Sequence, residues 1–131
     1  MKPKLVIAGL AALAAAVTPL SANAAELIGE YSARLSGQDH YNSKGQPLTT
    51  VAQIIRQDRA NYHQFGLRDY GDQDDPVFTT PEIRAGLEAL VAASNIPPNV
   101  ANAIINGDPN VVVQIWGEKG VPQYVVIVLP G

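Results

Sequence analysis

The chain has no cysteine among its 131 residues, which excludes a disulfide framework, a thiolate metal site and a lipid attachment site of the lipoprotein kind. It also lacks the spaced motifs that dictate one chemistry. No serine sits in a G-x-S-x-G nucleophile elbow, no H-E-x-x-H pairs two zinc-binding histidines, and no glycine-rich loop cradles a phosphate. There is no internal repeat and no low-complexity segment.

The most telling stretch present is Met1 to Ala24, which reads as a secretory signal peptide. Lys2 and Lys4 form a positive n-region, Leu5 to Val17 an uninterrupted apolar h-region, and Ala22-Asn23-Ala24 a small-x-small cleavage site. The apolar run is too short for a membrane-spanning helix of about 20 residues, and Pro19 breaks it just before the cut. The sequence therefore predicts a cleaved leader (1–24), a single mature domain (25–131), export to the bacterial periplasm or medium, and no stable membrane anchor after cleavage. Cleavage after Ala24 leaves 107 residues with seven basic and twelve acidic side chains, a charge of −5 with histidine neutral. An acidic chain is a poor candidate for nonspecific binding to nucleic acid or anionic lipid.

Periodicity in the mature chain predicts an α+β domain of order β-α-α-α-β-β, with a C-terminal antiparallel hairpin packed against helices. Leu27 to Leu35 alternates apolar and polar residues as a half-buried strand does. Ser36 to Pro47, rich in Gly, Asn and Ser, reads as a long loop. Thr49 or Thr50 caps a helix running to Phe65, with Gly66 to end it, and Leu67 to Thr79 is a second polar connection. Thr79 or Thr80 opens a helix ending near Ser94, and Pro98 to Asn106 forms a third. Asn110–Trp116 and Val121–Leu129 are β-branched runs joined by a four-residue loop, Gly117 to Gly120. Both runs are apolar on nearly every residue, so both faces of the sheet need cover. Helices supply one cover, and the other falls to a packed loop or to a homodimer through the hairpin.

Three groups of residues carry candidate chemistry. Arg56, Arg59 and His63 stand at offsets of three and seven on the first long helix, where two guanidiniums and an imidazole suit an anion such as a carboxylate or phosphate. The alternative is a solvated charged face. His40, beside Asp39 in the first loop, completes a candidate ligand- or partner-binding surface of His40, Arg56, Arg59 and His63. The same histidines with Asp39 or Asp58 supply the acid-base pair of a small hydrolase or lyase, and Ser36 or Ser43 completes a triad only on paper. Asp72, Asp74 and Asp75 are weak candidates for an extracellular calcium site, although the loop lacks the glycine and glutamate of an EF-hand. Their alternative is an acidic loop answering Arg56, Arg59, Arg68 and Arg84. Trp116, with Tyr124 on the partner strand, is either an interface anchor or a core residue.

Tyr41-Asn42-Ser43-Lys44-Gly45, then Ile55 through His63 and Phe65-Gly66, resemble a group of small exported bacterial proteins of no established function. The similarity covers roughly Tyr31 to Phe78 and implies no mechanism. The residues themselves favour an exported binding or accessory module, with no cofactor and an envelope protein or a small anion as its partner. The hydrolase or lyase and a calcium-stabilised structural protein are the alternatives.

Overall fold

Period-two burial runs through all three strands of a single antiparallel sheet. The computed structural model describes residues 24–130, so the leader predicted over 1–24 lies outside the described residues apart from Ala24. Strand β1 (Glu26–Arg34) pairs with β2 (Asn110–Glu118), which pairs with β3 (Val121–Val128), giving the order β1-β2-β3. Tyr31 and Ala33, Val111, Val113 and Ile115, and Val125 and Ile127 point into the core. Helices α1 (Val51–Ala60), α2 (Pro81–Ala93) and α3 (Pro98–Asn106) complete the mixed α+β architecture. Ile54, Ile55, Leu87, Val91, Val100 and Ile104 face the sheet from them.

Local chemistry sets the boundaries of these elements. Thr50 accepts the Gln53 N–H at 3.2 Å to start α1, and Thr80 accepts the Ile83 N–H at 3.2 Å to start α2 ahead of Pro81. The first helix does reach Phe65, but its final segment Asn61–Phe65 widens into a π turn closed by Gly66. At the hairpin, pairing continues through Glu118 and leaves a two-residue turn of Lys119 and Gly120, both at positive φ. The expected four-residue loop is shorter because this turn matches the right-handed twist of the strands. An irregularity between Trp116 and Gly117 accompanies the tightening, and a Cβ on Gly117 would overlap the Val121 carbonyl oxygen.

The β1 edge of the sheet is covered, and the β3 edge is capped at one point. Gln73 donates its N–H to the Ser32 carbonyl at 2.8 Å, Ser32 donates to Gln73 Oε1 at 3.0 Å, and Arg34 donates to Asp72 Oδ1 at 2.8 Å, so the acidic loop runs along β1 as a surrogate strand. On β3, the Val125 N–H is taken by Ser94 Oγ at 3.0 Å, and Pro122 has no N–H to offer. The helices cover one face, as expected. On the other, Leu27, Tyr124, Val126 and Val128 are exposed among the described residues, and Trp116 stacks on Tyr124 with centroids 6.4 Å apart. Trp116 is therefore not a core residue of this chain.

Candidate functional site

Helix α1 buries charge where its spacing suggested a charged surface. Asp58 and Arg59 lie four residues after Ile54 and Ile55, one helical turn on, and continue the same inward stripe. The Arg59 guanidinium is sandwiched between the rings of Tyr31 and Tyr62, 4.1 and 4.7 Å from their centroids. Its Nε donates to Asp58 Oδ2 at 2.8 Å, and its Nη1 donates to Asp75 Oδ2 at 2.8 Å and to the Gln73 carbonyl at 2.9 Å. Asp75 also accepts the Val77 and Phe78 N–H groups at 2.9 and 2.6 Å.

One guanidinium thus faces two buried carboxylates, and the environment separates their roles. Burial would raise the Asp75 carboxyl, but the Phe78 N–H, His63 and Arg59 outweigh it and hold that group below the ordinary carboxylate range. For Asp58, burial wins over the attraction of Arg59 and pushes the carboxyl up to about 8. Asp39, buried within the short 3-10 turn Gly37–His40 of the first loop, is likewise pushed up to about 6 by burial, against a hydrogen bond from Asn61. Asn61 Nδ2 reaches Asp39 Oδ1 at 2.8 Å, and this inward turn of Asn61 beside an inward Tyr62 is what the π geometry permits.

The structure does not bring His40, Arg56, Arg59 and His63 together into one surface. Arg59 is fully buried. Arg56 stays on the outer side of α1 and donates to Glu88 Oε1 of α2 at 2.7 Å. His63 Nε2 bonds Asp75 Oδ2 at 2.8 Å. His40 lies at the far end of the core, against the Ser36 and Ile104 carbonyls.

The paired acid-base groups expected from sequence are likewise absent among the described residues. Asp39 answers Asn61 and the Ser36 N–H, Asp58 answers Arg59, and Ser36 Oγ donates to Asp69 Oδ2 at 2.7 Å. The histidine–carboxylate pair that does form, His63 with Asp75, spans two segments with no sequence signal between them.

The acidic loop is tied inward rather than gathered around an ion. Asp72 accepts the Arg34 and Asp69 N–H groups, Asp74 the Asp75 N–H, and Asp75 faces Arg59. Among the described residues no group of three His, Cys, Asp or Glu side chains is placed to hold a metal. Of the arginines expected to answer this loop, only Arg59 does so through a side-chain pair. Arg84 bonds the Phe78 carbonyl and Gln64, and Arg68 the Tyr62 carbonyl.

One concave surface lies on the opposite, outer side of α1. Two adjoining cavities of about 450 and 440 Å³ share Asn42, Ser43, Gln57 and Phe65 in their walls. One extends to Gln53, Gln64 and the Arg56–Glu88 pair; the other extends to Gln38, Tyr41, Asn61 and Leu67. Tyr41, Phe65 and Leu67 are each about half exposed there. The loop wall is fixed by Asn42, whose Oδ1 accepts the Lys44 and Gln46 N–H groups at 2.9 Å and whose Nδ2 donates to Gln46 Oε1 at 2.8 Å. The segments Tyr41–Gly45 and Gln57–Phe65, separated in sequence by the start of α1, meet across this trough. Its lining combines amides, hydroxyls and aromatic rings with a single, internally matched ion pair, a composition suited to an uncharged ligand. No family model, curated protein or solved structure matches the chain.

Proposed function

We propose that the mature chain is an exported binding or accessory module whose ligand lies in the trough between α1 and the Tyr41–Gly45 loop. Export is supported by the leader-like residues 1–24. The observation that carries the binding role is the trough's pre-formed lining, in which amide side chains are oriented by bonds such as Gln57 Nε2 to Asn61 Oδ1 at 2.9 Å. Such groups lose little freedom on binding. With Arg56 already matched by Glu88 and Arg59 consumed in the core, the ligand is an uncharged molecule with hydrogen-bonding groups and an apolar face.

Titration of the labelled protein with neutral oligosaccharides and blocked peptides, and with phosphate as the anionic competitor, tests this. Amide shifts confined to Tyr41–Gly45, Gln57 and Phe65, with affinity falling about tenfold in Phe65→Ala as one buried aromatic contact is lost, are expected with a neutral probe. Shifts produced only by phosphate and centred on Arg56 would overturn the uncharged-ligand reading.

A second reading rests on the uncovered sheet face and is a homodimer through the hairpin. The acidic loop covers the β1 edge, and the apolar outer face is the larger free surface, so a second copy would stack face to face in the aligned geometry of a sandwich. Three strands of eight or nine residues present roughly 400 Å² in plan, about half the usual contribution of one partner to a stable interface of about 800 Å² per side. Self-association is therefore weak. Sedimentation should show a concentration-dependent shift at high protein concentration that Trp116→Lys abolishes; unchanged monomer at all concentrations would refute it.

A further inference from the structure

His40 is held by two hydrogen-bond acceptors at once. Its Nδ1 lies 2.8 Å from the Ser36 carbonyl oxygen and its Nε2 lies 2.7 Å from the Ile104 carbonyl oxygen. A neutral imidazole has one N–H donor and one bare nitrogen, whereas a carbonyl oxygen only accepts. Both contacts are hydrogen bonds only when the ring carries two protons; with one proton, a nitrogen lone pair is pressed against a carbonyl lone pair.

Ile104 lies in the last turn of α3, where terminal carbonyls lack intrahelical partners and the helix dipole presents its negative end. No residue of α3 carries a charged side chain. Facing the same cleft from the turn before β2 is Asp108, which is paired with Arg34 at 3.1 Å. On the ring's own turn, Asp39 points away toward Asn61, and Asp69 is bonded through Ser36 Oγ. The His40 carbonyl accepts the Leu48 N–H at 2.8 Å, and Tyr41 bridges to Pro47. The ring is thus the point at which the loop walling the trough is attached to α3.

We propose that His40 is a proton-operated clamp: doubly protonated, it joins the Ser36 and Ile104 carbonyls and pins the Tyr41–Leu48 loop to the end of α3. When the proton leaves to solvent, one of the two bonds is lost and that wall of the trough loosens. The clamp stands on its own geometry, while its control of ligand access rests on the binding role proposed above.

Ring ¹⁵N correlation spectra and amide exchange of the full chain, recorded from about pH 5 to about pH 8, test it without any ligand. His63 is the one other histidine, so the two rings are assigned by His63→Gln. Both His40 nitrogens should be protonated at the acid end. As the ring loses a proton, protection of Tyr41–Leu48, corrected for intrinsic exchange, should fall about tenfold, the worth of one charge-assisted hydrogen bond. In His40→Gln that pH dependence should vanish. A single neutral tautomer across the whole range, or loop protection that does not follow the ring, would overturn the proposal; the ring signal decides even if the variant fails to fold. Asp39 titrates in the same region, which is why the ring nitrogens rather than a melting curve are read. Failure of every ligand titration would leave these signals unchanged, so loss of the binding role and loss of the clamp are separate results.

Discussion

Arg59→Ala should lower the free energy of unfolding by about 3–5 kcal/mol in urea denaturation, whereas Arg56→Ala should change it by less than about 1 kcal/mol. The two residues are one turn apart on α1 and have the same charge. Arg59 is fully buried, with Tyr31 and Tyr62 on its two faces and two carboxylates on its nitrogens. Truncation leaves the charged Asp75 without its cation, removes the hydrogen-bond partner of Asp58 and opens a cavity between two rings. Arg56, nearly half exposed, loses only a surface pair with Glu88. A domain of this size has a total of about 5–15 kcal/mol to lose, so the Arg59 variant sits near the edge of folding. Equal, small effects at both positions would refute the account of the core. The consequence for any binding study is direct: Arg59 substitutions report on folding, and the trough is to be probed at Gln57 and Phe65 instead.

The contrast between these arginines shows where the sequence was readable. The strands, the three helices and their caps follow from alternation, from threonine ahead of an apolar stripe and from proline at the first helical position, all of which are local signals. The burial of Asp58 and Arg59 was not read from sequence: each stands one turn beyond an isoleucine of the core stripe, but their charge pointed to the surface. What no local pattern reveals is the partner. Asp75 lies in a stretch without periodicity, and its value to the fold depends on Arg59 and His63 arriving from 16 and 12 residues away. The acidic loop likewise owes its path to side-chain bonds with β1, at separations of 38 and 41 residues. Its four aspartates read as a solvated or calcium-binding run because side-chain-to-backbone bonding leaves no repeat in sequence. The trough is in the same class: its two walls come from loop and helix segments whose meeting is a property of the fold.

Asp75→Ala should be as damaging as Arg59→Ala, about 3–5 kcal/mol near neutral pH, while Asp58→Asn should be tolerated there and should stabilise the protein above about pH 8. The difference comes from which carboxylate the core holds charged. Asp75 sits below its ordinary value, with backbone N–H groups, His63 and Arg59 around it. A depressed group contributes stability that is present above the unfolded value, about 3.9 for aspartate, and is lost as pH falls through the folded value. Asp58 and Asp39 are raised by burial, to about 8 and about 6. Their contribution has the opposite sign: it is fully present below the ordinary carboxylate range and declines as pH rises through about 6 and then about 8. Wild-type stability should therefore peak on the acid side of neutrality, fall steadily toward alkaline pH and collapse only in strong acid, where Asp75 is protonated. Asn at position 58 keeps an oxygen for Arg59 Nε while removing the charge that alkaline pH forces into the core, so the decline near pH 8 should disappear in that variant. Chemical denaturation of the three proteins from acid to alkaline pH checks both signs. A flat wild-type profile, or an Asp58→Asn loss equal to that of Asp75→Ala, would mean that the two carboxylates share the charge evenly instead of dividing it.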